Sequence, residues 1–333
     1  MCTKKASFSD LENKALKSKP ILNIHSIYEG DFTKDTDAYI EDHIPFRESF
    51  VKLNAITDWF FNKKEKNDVI IAQDGYLFEE TQGTEQNIQF NLNAIQQFAF
   101  KNAYLMLIPS AMDIYPEKLP IGYPFTSGFE KITQTPLKNI RLINLHNVFL
   151  KHKAENLFYK SDHHWTAQGA KLAYEEFCNM LNLPILNNCI LQEVPNYLGS
   201  YYAKTSALNT KPENLSYWSN TNAKLFVDGK ELPLQDSEKL MGRDKYVALL
   251  QGNPPYSILK GNGKGKLFVI KDSYANAILP LIAQNFEEIH IIDLRYYKDD
   301  IQKLQEQVQA DVTLLIYGVR SISKERSIGF ALQ

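Results

Sequence analysis

Between residues 103 and 318 the chain repeats one unit, a short continuous apolar run followed by a helical pattern. The runs are Ala103 to Pro109, Ile140 to Leu145, Lys266 to Ile270, Ile289 to Leu294 and Val312 to Gly318. Leu/Ile/Val-rich runs of this length suit strands buried on both faces, the habit of a parallel sheet covered by helices, so the pattern predicts an α/β core. Upstream, Phe32, Tyr39, Ile40, Phe46, Phe50, Leu53, Ile56, Trp59 and Phe60 recur at three-to-four spacing among charges, predicting a long amphipathic helix over 31–62 that Pro45 breaks or kinks. The segment DVIIAQDGYLFEE sets two apolar runs around Asp74 and Gly75, a strong hairpin signal, and Asp-Gly recurs at Asp228 and Gly229. A second amphipathic segment spans about Glu85 to Lys101. From Leu191 to Gly265 the pattern changes to Tyr, Asn, Ser, Thr, Gly and Pro with broken apolar runs, predicting an irregular, β-rich insertion at about 191–265. The expected division is an N-terminal segment, 1–62, whose amphipathic helices pack on the core, followed by one α/β domain, 63–333.

Composition narrows the function classes. The 37 Lys+Arg and 39 Asp+Glu nearly cancel without long like-charge blocks, which argues against a dedicated nucleic-acid binder. A 44% hydrophobic fraction is ample for a packed core. The three cysteines, Cys2, Cys178 and Cys189, are too few for a disulfide framework and lack zinc-type paired spacing; one Cys178–Cys189 bridge stays open. The longest apolar runs, such as Tyr104 to Ile108 and Thr313 to Tyr317, fall far short of the ~20 residues that cross a bilayer. The first twenty residues lack the apolar core of an export signal.

Two places carry candidate chemistry. Three of the seven histidines, His152, His163 and His164, fall within thirteen residues, and the last two sit in Ser161-Asp162-His163-His164-Trp165-Thr166, on a turn leading into a helical pattern. The second place is Lys271-Asp272-Ser273-Tyr274-Ala275-Asn276, directly after the strand-like run LFVI. A serine at a strand-to-helix turn projects beyond the carboxyl end of the sheet, where its own N–H can face an oxyanion. Its hydroxyl needs a histidine base and a carboxylate to hold that imidazole, and Asp162 and His164 can supply both. Bland readings stand beside this one: Asp272 and Ser273 as a helix cap, His163 and His164 as core residues, Trp165 as core rather than sugar platform. His43 and Arg47 read as residues that fix helix packing by hydrogen bonds. A metal site built on Asp-His-His needs further spaced ligands that are not evident, and neither Cys178 nor Cys189 sits in a nucleophile motif, so no metal is expected and both cysteines read as structural.

The segments Glu12-Asn13-Lys14, Tyr39 to Arg47, Asp74 to Phe78, Ser161 to Thr166, Leu198 to Ser206 and Lys271 to Asn276 resemble the conserved blocks of the DHHW protein family. That family is similar to the SGNH-like alginate O-acetyltransferases of bacterial exopolysaccharide assembly. The blocks run in family order through most of the chain. The resemblance implies an SGNH-hydrolase-like catalytic domain over 63–333, a parallel sheet flanked by helices. It also implies Ser273 as nucleophile, His164 as base and Asp162 as orienting acid. His163 is left to packing or substrate contact. Ordinary GDSL enzymes have glycine where this chain has Lys271, and their oxyanion blocks are not identifiable, which leaves Asn276 as a candidate side-chain donor beside the Ser273 N–H.

The function implied is an extracytoplasmic serine O-acetyltransferase on a cell-surface or secreted polysaccharide, with the acetyl donor delivered by a separate membrane-bound O-acyltransferase. No metal or organic cofactor is required by that chemistry. Carbohydrate O-acetyl esterase is one alternative. A non-catalytic polysaccharide-binding or assembly protein is another, in which tyrosines such as Tyr201, Tyr202 and Tyr217 offer stacking surface. The resemblance further implies an N-terminal tether or export signal. Because the similarity begins at Leu11, the expectation is that such an anchor is cropped from this chain, and Cys2 would suit a lipoprotein whose leader was replaced.

Overall fold

The structure is a computed structural model that describes residues 7–98 and 100–333, so Cys2 lies outside the described residues. Its central sheet has eight strands: β1 (Ala103–Ile108), β2 (Ile140–Asn144), β3 (Lys224–Val227), β4 (Lys230–Leu232), β5 (Tyr256–Lys260), β6 (Lys266–Lys271), β7 (Glu288–Ile292) and β8 (Val312–Gly318). Their order is β4-β3-β5-β7-β6-β8-β1-β2. The five strands read from the apolar runs are the contiguous set β7-β6-β8-β1-β2, all parallel.

The flanking helices used below are α1 (Asp31–Asp42), α2 (Arg47–Phe60), α3 (Glu85–Gln97), α4 (Ala167–Leu181), α5 (Ser200–Thr205), α6 (Ala275–Ile282), α7 (Ile301–Val308) and α8 (Val319–Ser323). Successive strand residues point to opposite faces, so a strand covered on both sides must be apolar at every position. On β6, Leu267 and Val269 enter one core with Ala170, Ala173 and Phe177 of α4 and Ile278 of α6. Phe268 and Ile270 enter the other, with Ile88, Leu92 and Ile95 of α3, Ile301 of α7 and Ile322 of α8. Each fully buried side chain of this kind contributes about 1.5–3 kcal/mol of apolar transfer, which is why the layers hold.

The insertion is more ordered than its composition suggests. Its first part is an antiparallel ribbon, Ile190–Tyr197 with Glu213–Ser219. Its second part joins the central sheet, where β5 pairs antiparallel with β7 and covers that otherwise open edge. A tight turn at Asp228 (φ 49°) and Gly229 (φ 74°) then reverses β3 into β4. The other Asp-Gly turn, with Asp74 at φ 54° and Gly75 at φ 79°, joins Val69–Ile71 to Leu77–Phe78 as the apolar pattern predicts.

The N-terminal helices break around Pro45 as read, between Asp42 and Arg47. Their apolar stripe does not pack on the core, however: Phe50, Leu53, Ile56, Trp59 and Phe60 are exposed, and only Ala55 of α2 is buried. The two-sided core is complete without them. Polar ties hold the region instead. Lys14 donates to Asp42 at 2.7 Å, Arg47 Nη2 to Glu12 at 3.0 Å, and Asn13 to Asp244 at 3.3 Å. The blocks around residues 12–14 and 39–47 thus interlock with each other, while His43 bonds the Tyr39 carbonyl at 2.9 Å. Cys178 and Cys189 are both free thiols, and burial pushes them up to about 11 and about 12. The open possibility of a bridge between them is not realised. No helix among the described residues is long and apolar enough to cross a membrane.

Burial predicts a sharp contrast between two aromatic truncations. Phe177→Ala, at a fully buried site, should cost about 3–5 kcal/mol in urea unfolding. Trp59→Ala, at a side chain 64% exposed, should change stability by no more than about 0.5 kcal/mol, and equal losses would contradict the described packing.

Candidate active site

The turn after β6 and the loop before α4 meet at the carboxyl edge of the parallel strands. In the loop, Thr166 N donates to Leu157 O at 2.9 Å and Tyr159 N to His164 O at 3.2 Å, which folds residues 160–165 into a small closed bend. Thr166 then caps α4. Glu213 of the ribbon receives the Lys160 and Ser161 N–H groups at 2.9 and 3.2 Å and fixes the bend from outside.

Inside it, Asp162 Oδ1 accepts from His164 N at 3.0 Å and lies 2.5 Å from His164 Nδ1, while Oδ2 accepts from Ser200 N at 2.6 Å. His164 Nε2 lies 2.8 Å from Ser273 Oγ. The result is one hydrogen-bonded chain, Ser273–His164–Asp162, whose inner members are buried and whose hydroxyl end is partly open. Burial alone would raise the Asp162 carboxyl, but the two adjacent histidines and its hydrogen bonds outweigh this and hold it well below the usual carboxylate range. A carboxylate so held keeps Nδ1 protonated, which turns the Nε2 lone pair toward the serine.

Neighbours lock each part. Trp165, fully buried as the core reading expects, donates from Nε1 to Tyr274 O at 3.0 Å, and Tyr274 returns its hydroxyl to His163 O at 2.5 Å. Tyr246 stacks on the His164 ring with centroids 3.6 Å apart and planes 12° from parallel. Neither Asp272 nor Ser273 caps α6 through its side chain; Asp272 instead ties the turn before the helix, accepting from Tyr274 N at 3.0 Å, Gly318 N at 2.8 Å and Ser321 Oγ at 2.9 Å. Ser273 is thereby left to His164, and its own N–H has no acceptor among the described residues. That donor is available to an oxyanion.

Ser273 opens into a cleft walled by Ser110, Met112, His163, Tyr201, Arg295 and Arg320 among others. His163 faces this cleft, hydrogen-bonded to Ser200 Oγ at 3.1 Å and pushed down to about 4 by burial and by His164 beside it. Two other candidates are corrected. Asn276 lies one turn into α6, where its amide donates to Gly252 O at 2.9 Å and its oxygen accepts from Lys271 Nζ at 2.8 Å, so it serves the 252–253 loop and does not line the cleft. Tyr202 sits under the Arg243 guanidinium at 5.8 Å, also away from the cleft, whereas Tyr201 lines it. On a short helix such as α5, one position changes direction by about 100°.

Lys271 is buried, pushed down to about 8 by desolvation, and holds Asn253 at 2.7 Å. Asp162, His163 and His164 offer ligand atoms within 4.8 Å of one another, but a metal there would have to break the chain just described. The residues that sequence reasoning missed, Ser110, Arg295, Arg320 and Ser321, all follow the carboxyl ends of β1, β7 and β8. The strand assignments carried the signal for them, since that edge is where open α/β sheets bind ligands.

The family model described as DHHW protein matches residues 71–292. Among solved structures, the crystal structure of a DHHW family protein from Eubacterium siraeum is similar over 80% of this chain and 95% of its own, with 21% identity and a TM-score of 0.67. Bacillus cereus PatB1 with a sulfonyl adduct is similar over 78% and 98%, with 21% identity and a TM-score of 0.62. The O-acetyltransferase domain of Pseudomonas putida AlgJ is similar over 77% and 92%, with 16% identity and a TM-score of 0.48. No curated protein is significantly similar in sequence. The Eubacterium siraeum protein and PatB1 share the fold, a large, mostly parallel sheet between helices.

Gly199 tests the support of Asp162. A methyl group built there would lie 2.6 Å from Asp162 Cγ, so Gly199→Ala should displace the carboxylate at a cost of about 1–3 kcal/mol. In proton NMR the downfield His164 Nδ1–H resonance should move upfield or vanish. An unmoved resonance would mean that the loop yields and Asp162 does not depend on this contact.

Proposed function

The chain belongs to the DHHW protein family, and on that premise we propose that it is an extracytoplasmic serine O-acetyltransferase that modifies a cell-surface or secreted polysaccharide. The observation that carries the reading is the unbroken chain from Ser273 Oγ through His164, 2.8 Å away, to Asp162, 2.5 Å beyond, with the hydroxyl reaching a cleft.

In the first half-reaction Ser273 Oγ attacks the carbonyl carbon of an acetyl ester while His164 Nε2 takes the hydroxyl proton. The oxyanion faces the Ser273 N–H, and Asp162 stabilises the imidazolium. Collapse breaks the ester C–O bond, and His164 returns the proton to the departing alkoxide, leaving acetyl-Ser273. In the second half a sugar hydroxyl loses its proton to His164 and attacks the acetyl carbon. The new ester leaves, and Ser273 Oγ recovers the proton. Water in place of the sugar gives the esterase outcome. Transfer is preferred here on the resemblance to the O-acetyltransferases, with a membrane-bound O-acyltransferase supplying the donor. The binding-only reading expects Ser273 and His164 to diverge in an open aromatic groove, and the hydrogen bond between them speaks against it.

Ser273→Ala should lower turnover of a chromogenic acetyl ester by about 10⁴-fold or more. PatB1 is described with a sulfonyl adduct, and for this chain a sulfonyl fluoride should add one mass increment to the wild type and none to Ser273→Ala. Unchanged ester turnover in the variant would remove Ser273 as nucleophile. With an oligosaccharide acceptor present, acetylated sugar should form faster than free acetate.

A further inference from the structure

The triad says nothing about whether the acceptor polymer is charged, but the walls of the cleft do. Both arginines on the cleft are already paired. Arg295 grips Asp293 in a fork, Nε to Oδ1 at 2.9 Å and Nη2 to Oδ2 at 2.6 Å. Arg320 stands between two carboxylates, its Nε 3.3 Å from Glu79 Oε1 and its Nη1 bonded to Glu325. Glu79 is itself 3.9 Å from Lys204. Asp293 is shared with the buried Lys271 Nζ, 3.9 Å away, so the carboxylate balance is fullest at Arg320. There an anionic sugar has to displace Glu79 or Glu325, trading one carboxylate for another.

Two of the wall hydroxyls, Ser110 and Ser321, point the same way, whereas Thr81 Oγ1 has no hydrogen-bond partner among the described residues. Ser110 Oγ donates to Asp113 Oδ2 at 2.6 Å and Ser321 Oγ donates to Asp272 Oδ2 at 2.9 Å, so each hydrogen is turned away from the cleft. What these oxygens present to a ligand is lone pairs, which accept from a sugar O–H or N–H and repel a carboxylate. The guanidinium N–H groups that remain belong to carboxylate-paired arginines and can still donate to a hydroxyl oxygen. Met112, Val319 and the Tyr201 ring supply apolar surface for a sugar face.

We propose that the acceptor taken by this cleft is an uncharged sugar, neutral or N-acylated, and that Glu79 and Glu325 determine this specificity by holding Arg320. The inference rests on the acetyl-transfer reading above and goes beyond it to the substrate class.

The test uses the full chain, a neutral chromogenic acetyl ester, and two matched oligosaccharides, N-acetylglucosamine oligomers and mannuronate oligomers of equal length. The acetylated products are followed by mass spectrometry, and the effect of each oligomer on ester turnover is followed in parallel. The neutral oligomer should be acetylated, or should compete for the site, at least about ten-fold more effectively, a margin that shrinks at high salt. Glu325→Gln, which leaves Arg320 with one carboxylate fewer, should narrow the preference several-fold by improving use of the uronate. Equal or better use of mannuronate by the wild type overturns the inference, as does an absence of any effect from either oligomer while the ester still turns over. An unchanged preference in Glu325→Gln overturns the role given to that residue. Loss of Ser273-dependent ester turnover in the wild type would instead defeat the acetyl-transfer reading itself, so the two failures are distinguishable.

Discussion

Two reciprocal hydrogen bonds hold the turn after β6 against the bend before α4: Trp165 Nε1 to Tyr274 O, and Tyr274 Oη to His163 O. Each joins residues more than one hundred positions apart, and each originates in a buried aromatic ring, so the bond is made where water does not compete. With Tyr246 stacked on the opposite side, the His164 imidazole has little freedom to turn from Ser273. The serine-histidine contact is thus set by packing on both partners.

Buried carboxylates organise the remainder. Asp162, Asp272 and Asp113 each accept from several donors on different segments, and the half-buried Glu213 gathers the Lys160 and Ser161 donors of one bend. Their charge states differ with their company. Two histidines hold the Asp162 carboxyl down, whereas desolvation prevails at Asp272 and at Glu213 and raises them. The same side chain is therefore a strong anionic anchor behind His164 and a hydrogen-bond hub beneath Ser273.

The edge-strand solution shapes the site as well. By adding β5, β3 and β4 beside β7, the insertion covers an open sheet edge and brings the loop carrying Tyr246 and Asn253 across the base. The Glu12 to Lys14 segment reaches the same loop through Asn13 and Asp244, so the N-terminal region braces the site without touching the cleft.

The five parallel strands, the hairpin at Asp74-Gly75 and the helix break near Pro45 were legible in the chain because burial on both faces, positive φ and a missing N–H each constrain residue type locally. Asp162 and His164 stood out by their close spacing on one turn, and Ser273 by its place directly after a strand-like run. Tertiary structure alone decided the rest. It chose Tyr201 over Tyr202 for the cleft, turned Asn276 toward Gly252, left the α2 stripe exposed, and assembled Ser110, Arg295 and Arg320 around one opening. Periodicity tells which side of an element is apolar but not what covers it. A loop side chain takes its direction from partners far away along the chain, and those contact energies are not written in any local pattern.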